Sequence, residues 1–558
     1  MKKEWKLAEQ VSDDLEEQLL FTRGIKTEEE KEKFLNPDYE RGLFDPFEML
    51  DMDKAVSRIL KAIRGDERIV LYGDYDADGV CGTAIMHDFF KKIGFENFEV
   101  FIPDRNIDGY GLNEKAINEI VKSGCGLIIT IDCGITDVEE VALAAEKGID
   151  TVILDHHLES GPIPKAVAVV DPKRKGDVYP FNFLAGAGVA FKTVQALIRK
   201  GEFKIVPGWE KWLLDLVAIA TVADMVPLES ENRELVFYGL KVLQKTARTG
   251  LLVFFKKFGI NQSSVNEDDI AFTIGPRINV ASRMDHANAS FALLTTESKE
   301  EAKSISEHLF LLNQERRDSV DSILEEVGRR ISSGEIPLAI IEGDESWKAG
   351  VLGLAANRIL EKYHRPVFLW GKNGEAGMKG SCRAEGEVNL VEVLNLLPEG
   401  VLIEAGGHAF AGGFSVFPGK EESLKKELLN IFEKINLPEA GKIIVADKEV
   451  KIEEVDRNFW KIVEKFRPFG MDNPKPVFWL KDMEVSNVKM FGNGGIHIQI
   501  DFQKRNGVIS AIGFFMKNEG NFDIKKGDKI DLLASVEKSD YKGYDELRLR
   551  LFDLKKIL

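Results

Sequence analysis

Between residues 46 and about 200, short apolar runs alternate with stretches of helical period. The apolar runs predict strands, and the stretches between them predict helices. Regular alternation of this kind is typical of a doubly wound parallel sheet covered by helices. The predicted strands are 68–73, 97–103, 126–131, 151–154 and 167–172, and the predicted helices are 80–92, 113–123 and 138–147.

Three other patterns follow along the chain. Apolar residues at spacings of three and four predict one helix over about 298–332, which would be on the order of 50 Å long. A second α/β lobe begins with the strand-like run IPLAIIEG, and the last 120 residues alternate apolar and polar positions as a small five-stranded barrel does. The predicted regions are an extension (1–45), an α/β domain (46–297), a connecting helix (298–333), a second lobe (334–437) and a barrel (438–558).

Acidic residues stand directly after three of the predicted strands. Because the carboxyl ends of neighbouring parallel strands lie side by side, side chains at these positions converge on one crevice. An apolar helix predicted over 211–223 ends at Asp224 and brings a further carboxylate to the same place. The residues concerned are Asp74, Asp76 and Asp78 after 68–73, Asp132 after 126–131, and Asp155, His156 and His157 after 151–154.

This cluster of carboxylates indicates a metal site. Carboxylates that lie this close cannot all stay ionised without compensating positive charge. Oxygen-rich ligand sets with one imidazole suit Mn²⁺ or Mg²⁺ better than Zn²⁺, and the imidazole favours Mn²⁺. The alternative, that these residues only cap helices and shape turns, explains any one of them better than the whole set. The pattern predicts a metal-dependent nuclease or phosphatase.

Composition constrains this hypothesis without overturning it. The chain has 558 residues, a net charge of −18 and four cysteines without CxxC spacing. Its first residues lack the apolar core of a signal peptide, and no stretch approaches the roughly 18 apolar residues of a membrane span. We therefore expect a cytoplasmic protein without disulfides. The acidic charge argues against nucleic acid as a ligand unless lysine and arginine side chains gather in one groove.

The motifs resemble those of the DHH phosphoesterases. DYDADG at 74–79, Asp132 in TIDCG, DHH at 155–157 and Asp224 in ATVADMVPL stand in the order of that family's four motifs. Further segments are similar to those of its RecJ exonucleases, and the likeness runs from about residue 40 to the end. These segments are GPRINVASRMD (275–285), WKAGVLGLAANRILEKYHRPV (347–367), GSCRAEG (380–386), GGHAFAGG (406–413) and PFGMDNPKPVF (468–478).

The resemblance implies a two-metal centre with Mn²⁺, or alternatively Mg²⁺, and a role for each motif residue. It assigns Asp76, Asp132 and Asp224 to one metal and Asp78, Asp132 and His156 to the other. Asp74 would complete the first metal's ligands, because Tyr72 stands where many members have histidine. Asp155 would orient His156 or His157, and His157 would contact the scissile phosphate. The alternative for Asp155 and His157 is a local hydrogen bond that shapes the loop.

The resemblance also implies a function, namely 5′-to-3′ hydrolysis of single-stranded DNA to mononucleotides in repair and recombination. The C-terminal barrel would be an OB fold that binds single strands, and the second lobe would be the DHH-associated substrate-binding domain. Candidate partners are a single-strand-binding protein and a helicase, and the chain is expected to be a monomer. The residues implied at the 5′ end are Arg105, Arg277, Arg283, Ser381 and Arg383, with Gly406, Gly407 and His408 in a loop near the substrate.

Two departures and two rival functions stay open. Lys348 replaces a common histidine and Ser282 a common glycine, two departures that bear on the shape of the substrate path. One rival is a DHH phosphodiesterase that acts on short oligonucleotides or cyclic dinucleotides. The other is a non-catalytic DHH scaffold that binds single strands, against which the intact aspartates argue.

Overall fold

The computed structural model describes residues 4–105, 107–331, 336–372, 377–435, 443–514, 516, 524–539 and 546–557. They form two compact bodies, each with its own buried apolar core. The first body combines residues 1–43, 227–237 and 440–558, and the second combines 44–226 and 238–439. None of the described helices is long and apolar enough to span a membrane.

The N-terminal part of the first body consists of one strand and three short helices: β1 (Glu4–Leu7), α1 (Leu15–Thr22), α2 (Glu28–Leu35) and α3 (Tyr39–Gly42). Thr27 and Glu30 exchange side-chain to backbone hydrogen bonds at the start of α2, which stabilises a helix that buries none of its residues. Leu15 and Leu19 of α1 lie in the same apolar core as the C-terminal strands. The predicted N-terminal extension is therefore an integral part of the first body.

A five-stranded parallel sheet begins the second body, as the sequence predicts. Its strands are ordered β3-β2-β4-β5-β6. The register pairs Gly73 with Ile131, Ile131 with Leu154, and Leu154 with Val170, so the residues after these strands leave one edge side by side. The elements are α4 (Met52–Arg64), β2 (Ile69–Gly73), α5 (Ala77–Ile93), β3 (Phe98–Phe101), α6 (Glu114–Lys122), β4 (Leu127–Ile131), α7 (Val138–Glu146), β5 (Asp150–Leu154) and β6 (Ala168–Val170).

Helices follow the sheet along the chain, and two of them pack against α5, the helix that begins at the first acidic loop. The helix predicted over 211–223 is a 3₁₀ turn (Trp209–Leu213) that continues as α9, which ends one residue before Asp224. α8 and α9 both pack against α5. The helices are α8 (Gly186–Gly201), α9 (Leu214–Ala223), α10 (Ser230–Leu243), α11 (Thr249–Phe258), α12 (Glu267–Asp269), α13 (Gly275–Met284) and α14 (Asn288–Thr295).

The long connecting helix is confirmed as α15 (Lys299–Ile331), which has 33 residues and is therefore about 50 Å long. It buries Leu309, Leu312, Val320 and Ile323 along one stripe and packs against α11, α13 and α14.

The second α/β lobe is also confirmed. Its sheet has the order β10-β11-β9-β8-β7, in which β7 and β8 are parallel and the other pairs are antiparallel. The elements are β7 (Ile340–Asp344), α16 (Ala349–Tyr363), β8 (Val367–Lys372), β9 (Met378–Arg383), α17 (Leu390–Asn395), β10 (Leu402–His408), β11 (Ala411–Val416) and α18 (Glu421–Phe432).

The C-terminal domain contains the predicted β-barrel, closed by pairing of its first long strand with the strand before the last, but the region is not all-β, because a helix over Arg457–Lys465 precedes that long strand. The N-terminal β1 runs parallel to β12. The predicted boundaries at 333/334 and 437/438 fall on residues outside the described ranges. The elements are β12 (Ile443–Ala446), β13 (Lys448–Glu449), α19 (Arg457–Lys465), β14 (Phe478–Phe491), β15 (His497–Lys504), β16 (Gly507–Gly513), β17 (Lys529–Ser539) and β18 (Glu546–Lys556).

Candidate active site

The first acidic loop, between β2 and α5, is fixed by hydrogen bonds at two helix N-termini. Asp76 caps α5, because its Oδ1 accepts the N–H groups of Asp78 at 2.8 Å and Gly79 at 3.2 Å. Asp78 is buried, and its two carboxylate oxygens accept the N–H groups of Gly186 and Ala187 at the start of α8, each at 2.7 Å. The loop therefore presents carboxylates in defined positions before any ligand binds.

A side chain from another helix supports the same loop. Asn279 of α13 accepts the N–H of Ala77 through its Oδ1 at 2.7 Å. The sequence analysis missed Asn279, because an asparagine inside a helical motif carries no signal of a contact about 200 residues away in the chain.

Asp132 follows β4 in an unusual backbone conformation, with φ of 64°. Aspartate and asparagine adopt the left-handed region more readily than most other residues with a side chain. Gly186 makes room for it, since a Cβ atom there would lie 2.7 Å from both Cβ and Oδ1 of Asp132. Gly186 is thus a second missed site residue, and its one signal was the small-residue run 185–188 at the start of a helix.

His156 lies at the centre of the converging carboxylates. Its Nε2 is 3.1 Å from Oδ1 of Asp132, 3.6 Å from Oδ2 of Asp78 and 3.8 Å from Oδ2 of Asp224. Three sets of ligand atoms lie within 4.8 Å of one another: Asp74, Asp76 and Asp132; Asp78, His156 and Asp224; and Asp132, His156 and His157.

The sets agree with the motif-based ligand assignment in part. Asp74 joins Asp76 and Asp132, as the Tyr72 departure suggested, and Asp132 belongs to two of the three sets. Asp224, in contrast, groups with Asp78 and His156. Its assignment to the same metal as Asp76 stays a prediction.

The electrostatics of the crevice favour a bound cation. Burial and neighbouring carboxylates raise the pKa of Asp74 and Asp132 well above the ordinary value, that of Asp78 to about 7 and that of Asp224 to about 8. Burial and the charge of His157 lower the pKa of His156 to about 3, which keeps this imidazole neutral. Oδ1 of Asp74 and Oδ1 of Asp132 are buried without a hydrogen-bond partner among the described residues. Oxygen and neutral imidazole donors with these properties fit Mn²⁺ or Mg²⁺.

Asp155 has a different role, because its carboxylate is fully occupied by the protein. It accepts the N–H of Ile135 at 2.9 Å, the N–H of His156 at 2.7 Å and a hydrogen bond from Nδ1 of His157 at 2.8 Å. Burial raises its pKa, but the hydrogen bond and charge of His157 lower the pKa to about 2. Asp155 therefore orients the ring of His157, the second of the two histidines that the sequence analysis considered.

Tyr110 is a further contact that the sequence analysis missed. Its hydroxyl lies 2.9 Å from Nδ1 of His157 and donates to the backbone oxygen of Asp132 at 3.1 Å. Burial lowers the pKa of His157, but its hydrogen bond to Asp155 and that carboxylate's charge raise the pKa to about 9. Asp155 and Tyr110 engage Nδ1 of His157. The other ring nitrogen of this half-exposed imidazolium, Nε2, has no protein partner among the described residues.

Tyr72 is engaged in the apolar core of the sheet. Its ring is fully buried and stacks on Phe101 at 5.2 Å. Its hydroxyl donates to the backbone oxygen of Gly111 at 2.8 Å. The tyrosine thus anchors the loop that carries Tyr110.

Several of the arginines predicted to bind the substrate lie close together beside the candidate metal ligands. Burial and the charges of Arg105, Arg316 and Arg383 lower the pKa of Arg283 to about 10, against the opposing charge of Asp76. Nη1 of Arg383 donates to Oγ of Ser381 at 3.0 Å and to the oxygen of Cys382 at 2.7 Å.

The fit of Arg383 and Ser381 against α16 depends on a glycine. A Cβ atom on Gly353 would lie 2.8 Å from Nη2 of Arg383 and 3.1 Å from Oγ of Ser381. Any larger residue at this position of α16 would displace both polar side chains.

The remaining substrate candidates lie further away. His408 and Arg383 share one cross-strand row with Ala411 between them, so they are about 10 Å apart on the same face. Gly406 and Gly407 lie in the same exposed edge strand, β10. Arg277 belongs to a different group of arginines, because Arg317 and Arg316 are the charges that affect it most. The roles of these four residues stay predictions.

The two departures have local structural explanations. Lys348 stands just before α16 and pairs with Glu315 of α15. Ser282 is buried, and its hydroxyl donates to the backbone oxygen of Asn279 at 3.2 Å. Neither side chain contacts a metal-ligand candidate within the described part of the chain.

Comparisons with known proteins agree with this architecture. Residues 68–221 match the DHH family, N-terminal domain, residues 335–434 match the DHHA1 domain, and residues 446–553 match the RecJ OB domain. The structure also matches that of the Thermus thermophilus RecJ in complex with Mn²⁺, with a TM-score of 0.82 at 24% identity. That match covers 100% of this chain and 80% of the Thermus chain, and it supports the fold.

Sequence relatives are more specific. The chain is 34% identical over 540 residues to the single-stranded-DNA-specific exonuclease RecJ of Bacillus subtilis, covering 96% of this chain and 67% of the relative. It is 31% identical to the RecJ of Salmonella typhimurium over 480 residues, which are 82% of each chain. A solved exonuclease RecJ bound to manganese is 31% identical, with a TM-score of 0.61, over 70% of this chain and 96% of that one. This chain therefore belongs to the RecJ family of the DHH phosphoesterases.

Proposed function

We propose that this chain is a metal-dependent exonuclease that hydrolyses single-stranded DNA to mononucleotides from the 5′ end. The observation that carries the proposal is the place of the arginines. Cζ of Arg105 lies 5.0 Å from the ring centroid of Tyr75, the residue just before Asp76 in the metal-binding loop, and Arg283 lies near Arg105, Asp76 and Arg383. Guanidinium groups bind phosphates bidentately. A terminal phosphate held there would lie beside the candidate metal ligands, so that the first phosphodiester is the one exposed to hydrolysis.

The donor set fits two divalent ions. Asp74, Asp76 and Asp132 would hold one ion, and Asp78, His156 and Asp224 would hold the other. Oδ1 of Asp132 also lies 3.1 Å from Nε2 of His156 in the second set. Bound Mn²⁺ or Mg²⁺ would supply the Lewis acidity that activates water for attack on a phosphodiester. Family membership and the manganese-bound relative support this choice of metals.

The protein's own groups would orient the substrate. Asp155 and Tyr110 hold the ring of His157 through Nδ1, which leaves Nε2 of the cation to donate to an oxygen of the scissile phosphate. The hydroxyl of Ser381 and the guanidinium of Arg383, in contact at 3.0 Å, would bind the terminal phosphate. The neutral His156 and the buried carboxylates would stay in place, because backbone N–H groups already hold the loops that carry them.

A substrate panel tests the proposal. The protein should degrade 5′-phosphorylated single-stranded DNA of graded length in Mn²⁺, and activity should vanish with chelator and return with metal. Blunt duplex DNA should be cut far more slowly, and an overhang should be trimmed until it meets the duplex. Faster hydrolysis of a cyclic dinucleotide than of single-stranded DNA would favour the rival phosphodiesterase function. Binding of single strands without any hydrolysis would favour the scaffold.

The cellular setting is a further part of the proposal. We infer a cytoplasmic repair and recombination enzyme that acts as a monomer, with a single-strand-binding protein and a helicase as candidate partners. Family membership supports the substrate class, and the four cysteines, all buried and unpaired, are consistent with a reducing compartment. Size-exclusion chromatography with light scattering tests the monomer, and pull-down with each purified partner tests the interactions.

A further inference from the structure

A group of arginines on α13 and α15 lies outside the pocket described above. It consists of Arg277, Arg316 and Arg317, which we call the α15 arginine cluster. Within the described ranges, none of the three forms an ion pair with a carboxylate, whereas the neighbouring Arg358 pairs with Asp321 at 3.0 Å. In a chain with 93 acidic and 75 basic residues, three adjacent arginines without an acidic partner are a departure from the general pattern.

The guanidinium of Arg277 is held in a defined orientation. Its Cζ lies 4.3 Å from the ring centroid of Phe258, the last residue of α11, and its Nη1 donates to the backbone oxygen of Thr273 at 2.9 Å. Its Nε, like that of Arg316, is buried without a hydrogen-bond partner among the described residues. Because arginine carries five N–H donors and no acceptor, these groups need an anionic or carbonyl ligand.

The cluster is electrostatically unfavourable by itself. Burial and the charges of Arg317 and Arg316 lower the pKa of Arg277 to about 10. Burial and the charges of Arg317 and Arg358 lower the pKa of Arg316 against the opposing charge of Asp321, which itself pairs with Arg358. A bound anion would relieve the repulsion among these guanidinium groups. Packing alone gives no reason for this arrangement, since Arg317 is exposed.

The cluster is continuous with the candidate active site. Arg283 follows Arg277 by six residues in α13, a rise of about 9 Å along the helix. α13 packs against α15, and Arg283 lies near Arg316 as well as near Arg105 and Arg383. Positive charge therefore runs from the pocket beside Asp76 to the α15 arginine cluster. A single strand held at Arg283 would then pass the α15 arginine cluster with the phosphates that follow its first phosphodiester.

We propose that the α15 arginine cluster binds backbone phosphates of the single strand that follow the first phosphodiester beyond the end held at Arg283. This inference rests on the proposed function and extends it by naming where the strand continues. Phe258 fixes the plane of the Arg277 guanidinium, and Arg316 and Arg317 provide two further phosphate contacts. An acidic chain thus binds DNA through a few arginines that lack acidic partners.

The test compares substrates that reach the cluster with substrates that do not. Arg317→Gln and the double variant Arg316→Gln/Arg317→Gln are measured on a 5′-phosphorylated dinucleotide and on a 20-nucleotide strand. The ratio of kcat/KM for the long strand to that for the dinucleotide should fall at least tenfold in the double variant. Arg199→Gln, which removes an exposed arginine paired with Asp45 at 2.8 Å, is the charge-matched control and should leave the ratio unchanged.

Equilibrium binding gives an independent readout. With metal withheld by chelator, affinity for the 20-nucleotide strand is measured by fluorescence anisotropy across a salt series. Each lost phosphate contact should reduce the slope of log affinity against log salt by about 0.7, and the double variant by about 1.4. Because Arg317 is exposed, the single variant keeps the test valid if the double variant folds poorly.

The outcomes separate the two proposals. An unchanged ratio and an unchanged salt slope in both variants would overturn the cluster as a binding site. An equal loss on both substrates would overturn it too, because the cluster would then act on the first nucleotide or on folding. If the wild-type protein binds the strand with the expected salt slope but never cuts it, the proposed function fails while the cluster stands.

Discussion

Gly186→Ala tests how the start of α8 positions the aspartates of the candidate metal centre. A Cβ atom at residue 186 would lie 2.7 Å from Cβ and from Oδ1 of Asp132 and 2.9 Å from its Cγ. Since carbon atoms normally approach to about 3.5–4.0 Å, Asp132 or the helix start must move by several tenths of an ångström or more. The N–H of residue 186 also donates to Asp78, so the displacement affects two candidate ligands at once.

The expected magnitude follows from this geometry. Overpacking of a dense site costs about 1–3 kcal/mol of stability. Disturbing the groups that orient metal ligands typically lowers metal affinity by about 10- to 100-fold. We expect Gly186→Ala to bind Mn²⁺ at least tenfold more weakly in calorimetric titration. Hydrolysis of single-stranded DNA should fall by a similar factor at Mn²⁺ concentrations that are below saturation.

Gly188→Ala is the matched control, two residues further along α8. A Cβ atom there would lie 3.4 Å from Cβ of Leu184, which is an ordinary contact. Alanine is favoured over glycine inside a helix by about 1 kcal/mol, so this variant should be at least as stable as the wild type and bind Mn²⁺ equally well. If Gly186→Ala also binds Mn²⁺ and cuts DNA like the wild type, the close fit of α8 around Asp132 has no part in the metal centre.

Three further predictions concern other parts of the molecule. Arg383→Ala should slow the cleavage of 5′-phosphorylated strands about ten- to a hundred-fold more than the cleavage of 5′-hydroxyl strands, because hydrogen bonds to charged groups contribute about 1.5–3 kcal/mol. Equal slowing of the two substrates would contradict recognition of the 5′ phosphate by Arg383. Asn279→Ala should bind Mn²⁺ more weakly than the wild type, whereas Asn279→Asp should bind it like the wild type, since aspartate keeps the acceptor for the N–H of Ala77. Equal Mn²⁺ affinity in the wild type and both variants would refute the role of Asn279 in positioning the acidic loop. Asn473→Ala should destabilise the first body by about 3 kcal/mol in denaturant unfolding. It removes two hydrogen bonds that Asn473 donates to the backbone oxygens of Phe466 and Pro468 and one that it accepts from Arg23. The control Asn487→Ala, at an exposed asparagine, should change the free energy of unfolding little.

Local sequence signals predicted the parallel sheet and its acidic edge well. Strands such as 69–73 and 127–131 are buried on both faces, so their apolar runs stand out, and the following aspartates leave one sheet edge by necessity. Asp74, Asp132 and His156 were predicted together for that reason, and the structure brings them to one crevice, which Asp224 joins from the end of α9, as predicted.

Contacts between distant segments escaped prediction. Asn279 and Gly186 act on the acidic loops across long stretches of chain, and a single sequence carries no record of such pairs. Tyr110 lies in a glycine-rich loop that gave no periodic signal. The resemblance assigned Arg277 to the 5′ end together with Arg283, and that assignment stays a prediction. Both arginines lie near Arg316, but Arg283 also lies near Arg105 and Arg383.

The N-terminal residues illustrate the same limit at the level of domains. Their polar, helical pattern predicted a separate extension, whereas β1 pairs with β12 and α1 joins the core of the barrel. Removal of the barrel alone would therefore expose Leu15 and Leu19, so loss of DNA binding in such a truncation cannot be attributed to the barrel without a stability measurement.

The most direct test of the account is the fate of a 5′-phosphorylated, 3′-labelled single strand of 20 nucleotides, incubated with the wild type and with Asp132→Asn. Asparagine tolerates the left-handed backbone at residue 132 and removes the charge of a carboxylate that belongs to two of the three groups of candidate ligand atoms. The account predicts a ladder of labelled strands that shortens with time in Mn²⁺, no cleavage in chelator and at least a hundredfold slower cleavage by the variant. Immediate release of labelled mononucleotide would contradict the polarity, and equal cleavage by Asp132→Asn would contradict the metal centre itself.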